Sequence, residues 1–165
     1  MRPRYLMTIC LFFLVPAHAE ESGEPITQDI GVTASGYKYV EDDIMSLKGP
    51  LLGVDYAVNF PIARSWFIKG NFRYEGGKVD YESNGTGSAE NQTTWYLEPR
   101  LLAGYTFSFG AHALSPYAGF GFRYLYHDGR GTTSTGHIGY RRESRYFYLP
   151  LGLGHRWAFG EQRRV

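Results

Sequence analysis

From residue 50 onward the chain alternates between apolar and polar or small residues. Leu52, Val54, Tyr56, Val58 and Phe60 take every second position, with Gly53, Asp55, Ala57 and Asn59 between them. Trp66, Ile68, Phe72 and Tyr74 then oppose Lys69, Asn71, Arg73 and Glu75. Trp95, Leu97, Leu101, Ala103, Tyr105 and Phe107 oppose Glu98, Arg100, Gly104 and Thr106. Ala118, Phe120, Phe122 and Tyr124 oppose Gly119, Gly121 and Arg123. Phe147, Leu149, Leu151, Leu153, Trp157 and Phe159 oppose Ser144, Gly152, Gly154 and Arg156. A side-chain period of two makes strands with two chemically different faces. Ile30 to Glu41 is less regular, because Lys38 shares the face of Val32 and Val40. The pattern predicts six strands, over 29–42, 50–60, 65–82, 92–108, 115–128 and 140–159. The connections Phe60–Arg64 and Gly110–Ala113 are short. Asp43–Lys48, Ser83–Asn91 and Gly129–Gly139 are longer and polar, as loops are.

Alternation does not say which face is inside. A soluble lipocalin-like barrel buries its apolar face, and a membrane barrel turns that face to lipid. Three features favour the second arrangement. Aromatics gather near the strand ends: Trp66, Phe107, Phe109, Trp157 and Phe159 at the short-turn end, and Tyr74, Tyr81, Trp95, Tyr124, Tyr126, Tyr140 and Tyr146 at the long-loop end. Such belts suit rings at headgroup level on both sides of a bilayer. Gly104, Gly119, Gly121, Gly152 and Gly154 fall on the polar face, where a narrow lumen needs room for long side chains. The strands also reach the roughly 9–11 residues needed to cross a bilayer, beyond the usual five or six of soluble sheets. Short turns at one end and long loops at the other match periplasmic turns and extracellular loops. The predicted fold class is all-β, an antiparallel up-and-down transmembrane β-barrel.

The opening residues change the picture of where the chain goes. Arg2 and Arg4 precede an apolar stretch from Leu6 to Val15, then Pro16 and the small-x-small triplet Ala17-His18-Ala19. This reads as a secretory signal peptide over 1–19, followed by a barrel domain over 20–165. The stretch is too short for a spanning helix. The single cysteine, Cys10, lies inside it, so the mature chain is expected to hold no disulfide and no thiolate ligand. Lys and Arg total 17 against 16 Asp and Glu, which gives no reason to expect a nucleic-acid partner.

The signal, the strand-loop plan and the segment Ser35-Gly36-Tyr37-Lys38-Tyr39-Val40-Glu41 together resemble the OmpA/OmpX/opacity-type family of small outer-membrane β-barrel proteins of Gram-negative bacteria. The resemblance spans about 28–159. It implies eight strands and insertion by the outer-membrane assembly machinery with periplasmic chaperones. It also implies a surrounding of outer-membrane lipids and lipopolysaccharide, and a role in envelope integrity, adhesion or surface interaction. Family members end on a strand with a terminal aromatic. Here the chain ends Gly160-Glu161-Gln162-Arg163-Arg164-Val165, so a last hairpin is expected to be missing.

Candidate chemistry is sparse. His127-Asp128 stands at the long-loop end beside the stretch holding His137. Neighbours on a strand point to opposite faces, so the two are not expected to pair. His112 sits in a tight turn and His155 on the apolar face near the short-turn rim. No Gly-x-Ser-x-Gly, His-Glu-x-x-His or phosphate-binding loop occurs, and no catalytic residue, cofactor or metal is expected. The eight charges Asp55, Lys69, Arg73, Glu75, Glu98, Arg100, Arg123 and Arg156 fall on the lumen face, where mixed signs must pair and are expected to close the lumen. A turn centred near Ile62 would set Asp55 opposite Lys69. The expected role is structural or surface-interacting. Two alternatives are a lipid-modifying or proteolytic barrel enzyme using His127, and a small ion channel.

Overall fold

The computed structural model describes residues 8–15, 25–63 and 65–158. They form one antiparallel sheet of nine strands: β1 Thr8–Val15, β2 Thr27–Glu41, β3 Met45–Ala63, β4 Trp66–Ser83, β5 Gly87–Tyr105, β6 Phe107–Phe109, β7 His112–Thr132, β8 Ile138–Tyr148 and β9 Leu151–Trp157. β6 continues β5 past Thr106, and β9 continues β8 past Leu149 and Pro150, each pairing with β7. From β2 onward these are the six predicted strands, each joined to its sequence neighbour in an up-and-down order. Turn chemistry fits the bends: Asp43 takes φ 63 between β2 and β3, and Gly110 takes φ 60 before β7.

The apolar stretch read as the core of an export signal lies on the free edge of β2, from Thr8 opposite Ser35 to Val15 opposite Gln28. The flanking Arg2, Arg4 and Ala17-His18-Ala19 lie outside the described residues, as do Phe159 and the segment 160–165. Among the described residues β2 and β8 share no ladder. The sheet nevertheless curls until their side chains meet. Arg142 Nη1 of β8 is 3.8 Å from Glu41 Oε1 of β2, and its guanidinium lies 5.6 Å from the centre of the Tyr39 ring.

The two faces are inverted relative to a soluble barrel. Leu52, Leu101, Phe120, Leu151 and Leu153 are exposed on the outside. Asp55, Glu75 and Glu98 are buried inside, none more than 3 % exposed. This decides against the lipocalin-like arrangement, because charges are buried only when partners compensate them and large apolar faces do not face water.

Nearer the long loops the pattern reverses. Lys48, Lys78, Asp80 and Glu82 point outward and are exposed, while Leu47, Leu51, Val79 and Tyr96 are buried inside against Tyr37, Tyr39, Met45, Tyr81 and Leu125. The sheet therefore has two storeys. One is apolar outside and charged inside, and the other is polar outside and apolar inside. The adjacent Leu51 (buried) and Leu52 (exposed) mark the crossover on β3.

The storeys account for where the strand ends differ from expectation. β3 starts at Met45 and β5 at Gly87, inside stretches predicted as loops. Their outward positions are polar, so composition read as loop where the backbone is still paired. The upper belt is smaller than expected for a related reason. Trp95 stacks on Tyr126 at 5.3 Å and meets Tyr124 at 5.5 Å and Tyr74 at 6.2 Å, all on the outer face. Tyr81 instead packs inside with Val79, as its odd number on β4 requires. Tyr140 and Tyr146 share the inward side of β8 with Arg142. At the other end Trp66, Phe107, Phe109 and Trp157 are all exposed on the outside.

Candidate functional site

The interior charges form a ladder across β3, β4, β5 and β7. Asp55 stands opposite Arg73, whose Nε donates to Asp55 Oδ2 at 2.9 Å. Asn71 Nδ2 donates to Asp55 Oδ1 at 2.9 Å, and Arg100 Nη2 lies 3.9 Å from Asp55 Oδ2. Arg73 is also opposite Glu98 on β5. Glu98 takes Arg100 Nε at 3.5 Å and accepts a close hydrogen bond from Arg123 Nε. The Arg123 guanidinium lies 4.7 Å from the centre of the Tyr96 ring. One storey step higher, Glu75 accepts the hydroxyl of Ser35. Five of the eight predicted charges thus join one network in which each carboxylate serves two guanidinium groups.

Lys69 is not opposite Asp55. β3 runs on through Pro61 to Ala63, with an irregularity between them, so the turn falls later than Ile62 and Lys69 stands opposite Asn59. The partner of Asp55 moves from position 69 to position 73, an even shift that keeps both side chains inside. Lys69 Nζ instead lies 4.0 Å from Asp29 Oδ2 of β2. Arg156 lines the same space from β9, and among the described residues no carboxylate comes within ion-pair range of it. Asp29 was legible by alternation, since it shares the inward face with Thr33 and Ser35, both buried. Lys38, the residue that blurred this strand, is exposed on the outward side.

Three of the five lumen-face glycines hold rings. Gly121 is opposite Tyr148, Gly152 opposite Tyr117 and Gly104 opposite Phe67. A Cβ on any of the three would lie 2.3 Å from its partner's ring. These positions are small because an aromatic ring crosses them from the next strand, an arrangement that shields glycine backbone in sheets.

The rim residues are placed apart. His127 is buried, with Nδ1 2.8 Å from Thr94 Oγ1. Asp128 faces outward and holds Arg130 at 2.6 Å. His137 lies in the β7–β8 loop, its Nδ1 3.0 Å from Thr135 Oγ1. His127 and His137 both line a cavity of about 220 Å³ under that loop, with Gln92 and Arg142. His112 Nδ1 is 3.1 Å from His155 Nε2, on the outer face beside Trp157. Among the described residues no three His, Cys, Asp or Glu side chains gather as a metal site.

The long loops are laced together. Ser134 N donates to Ser88 O at 2.8 Å, and Ser88 N donates to Ser134 Oγ at 2.9 Å. Asn84 reaches the β2–β3 turn, its backbone N donating to Ile44 O and its Nδ2 to Asp43 O, both at 3.3 Å.

An antiparallel up-and-down sheet with lipid-compatible aliphatics outside, ion pairs inside and polar loops at one end is a membrane barrel of the outer-membrane kind. Comparison with known families agrees. The model of the outer membrane protein beta-barrel domain matches residues 7–162. The chain belongs to that family and is an integral outer-membrane barrel protein. Comparison with curated proteins and with solved structures gives no match.

Proposed function

We propose that this barrel has a structural or surface-interaction role in the bacterial outer membrane, without catalysis, and that its lumen is closed. The observation that carries the reading is the upper storey. Leu47, Leu51, Val79 and Tyr96 pack together in the interior on the long-loop side of the ion pairs, which supports a plug above the charged storey. The apolar plug adds to the charges expected to close it. The eight-stranded barrel that the resemblance implies is only just wide enough for its own side chains, which supports closure. The laced loops supply the surface a partner would meet, with Ile44 and Ile138 exposed beside hydroxyl and amide side chains. Export through the Sec pathway with cleavage after Ala19, assembly-machinery insertion and contact with lipopolysaccharide complete the reading.

Planar-bilayer recording tests closure. The wild type is expected to show no discrete current steps, and Tyr96→Ala combined with Leu51→Ala is expected to show brief openings. Steady single-channel conductance from the wild type would replace this reading with the channel. The enzyme alternative, built on His127, is opposed by that ring's burial against Thr94 and its separation from Asp128. Phospholipid, lipid A or peptide turnover lost in His127→Ala would reinstate it.

A further inference from the structure

The short-turn half of the lumen differs from the half above it. It is a cavity of about 680 Å³ reaching from Asp55 and Arg100 down to Ser65 at the β3–β4 turn and Arg156 on β9. Four cationic side chains line it, Lys69, Arg73, Arg100 and Arg156, against two carboxylates, Asp29 and Asp55. Asp55 is already shared by Arg73 and Arg100, and among the described residues Asp29 pairs with Lys69 alone. Glu98 serves Arg100 as well, but Arg123, which lies outside the cavity lining, brings the matching positive charge, so the balance is unchanged. Among the described residues the lining therefore carries two more positive than negative charges.

Neutral donors stand among the cations. Thr106 Oγ1 and Ser115 Oγ, 3.0 Å apart, line the cavity at its short-turn end. Arg100 Nε is buried and makes no hydrogen bond, the nearest Glu98 oxygen being at 3.5 Å. Guanidinium and hydroxyl donors around a cavity of small-molecule size suit a tetrahedral oxyanion. Low-dielectric walls strengthen its attraction to the unmatched cations beyond what a surface patch would give.

We propose that this cavity is an anion site, taking a small soluble phosphate or phosphomonoester through the short-turn mouth. Lys69 and Arg156 hold the anion, since both remain partly accessible and neither has a full share of carboxylate. Arg100 supplies a donor from the cavity's inner end. Lipid phosphate is a poorer occupant, because the outer face at this level carries Trp66 and Trp157 and the cations point the other way.

The full chain, refolded in a non-ionic detergent, tests this by thermal unfolding in inorganic phosphate against chloride at equal ionic strength. A ligand that binds only the folded state raises the unfolding midpoint saturably. The expected result is such a rise with phosphate and none with chloride. Arg156→Gln and Lys69→Gln should each weaken the apparent Kd about tenfold, the worth of one charge-assisted hydrogen bond. Arg156→Lys should weaken it less, and Arg141→Gln on the exterior should leave it unchanged. Broadening of the phosphorus resonance of free phosphate by wild type, and its loss with Arg156→Gln, gives a readout independent of stability. Equal rises in phosphate and chloride, or a rise that survives both neutral variants, would overturn the site. Stabilisation by micelles doped with an anionic phospholipid, without any by free phosphate, would overturn the soluble-anion assignment.

Discussion

Asp55 sets the terms at the residue scale. It is 3 % exposed and gathers Arg73, Asn71 and Arg100. Removing one member of a buried, hydrogen-bonded pair leaves an uncompensated charge and costs about 3–5 kcal/mol. Asp55→Ala and Arg73→Ala should each show losses of that order in urea unfolding from micelles. The double variant should lose less than the sum, because the two side chains share one interaction. Strict additivity would show that the network is not energetically coupled. The lumen glycines permit a second test. Gly121→Ala must displace the Tyr148 ring, an overpacking expected to cost about 1–3 kcal/mol. Gly36 meets nothing within 4 Å of a built Cβ, so Gly36→Ala should be neutral or slightly stabilising. Equal effects at the two positions would mean that the ring does not need the gap.

Among the elements, β4 and β5 define the lipid-facing band. On β4 the outward residues run from Trp66 through Ile68, Phe72 and Tyr74, and then change to Lys78, Asp80 and Glu82. Leu101 pairs with Gly70, near the middle of that band. Leu101→Arg should therefore cost about 2–4 kcal/mol, the value for a basic residue at the midplane of a barrel's lipid face. Thr93, opposite Lys78, lies above the band, and Thr93→Arg should cost about 0–1 kcal/mol. A comparable cost at both sites, read from reversible unfolding, would contradict the placement of the band. The same elements show what could be read from sequence and what could not. The strands inside the band were legible because period two and an apolar outer face coincide there. Met45–Lys48 and Gly87–Asn91 read as loops in the sequence because their outward residues are polar, although Leu47 already points into a core. The ion-pair register failed at Pro61, where the strand continued past a residue that reads as a turn. The neighbour of an inward aspartate depends on turn position, and alternation records only the face.

For the whole molecule, the inverted faces require lipid. The protein should fractionate with the outer membrane and resist carbonate extraction; recovery in the soluble periplasm would remove the membrane assignment. Cleavage after Ala19 would also take Thr8–Val15 off the edge of β2 and expose that strand's backbone donors and acceptors. Mass measurement of the mature N-terminus checks the cleavage.

The hydrogen bonds that join Asn84 to the β2–β3 turn and Ser88 to Ser134 link three loops into one collar. A partner landing on free loops must freeze them, at a cost of side-chain and backbone freedom that weakens its grip. On this collar much of that ordering is already complete when the barrel folds. Recognition there should behave as the docking of two shaped bodies, with affinity set by surface fit and little change in loop mobility on contact.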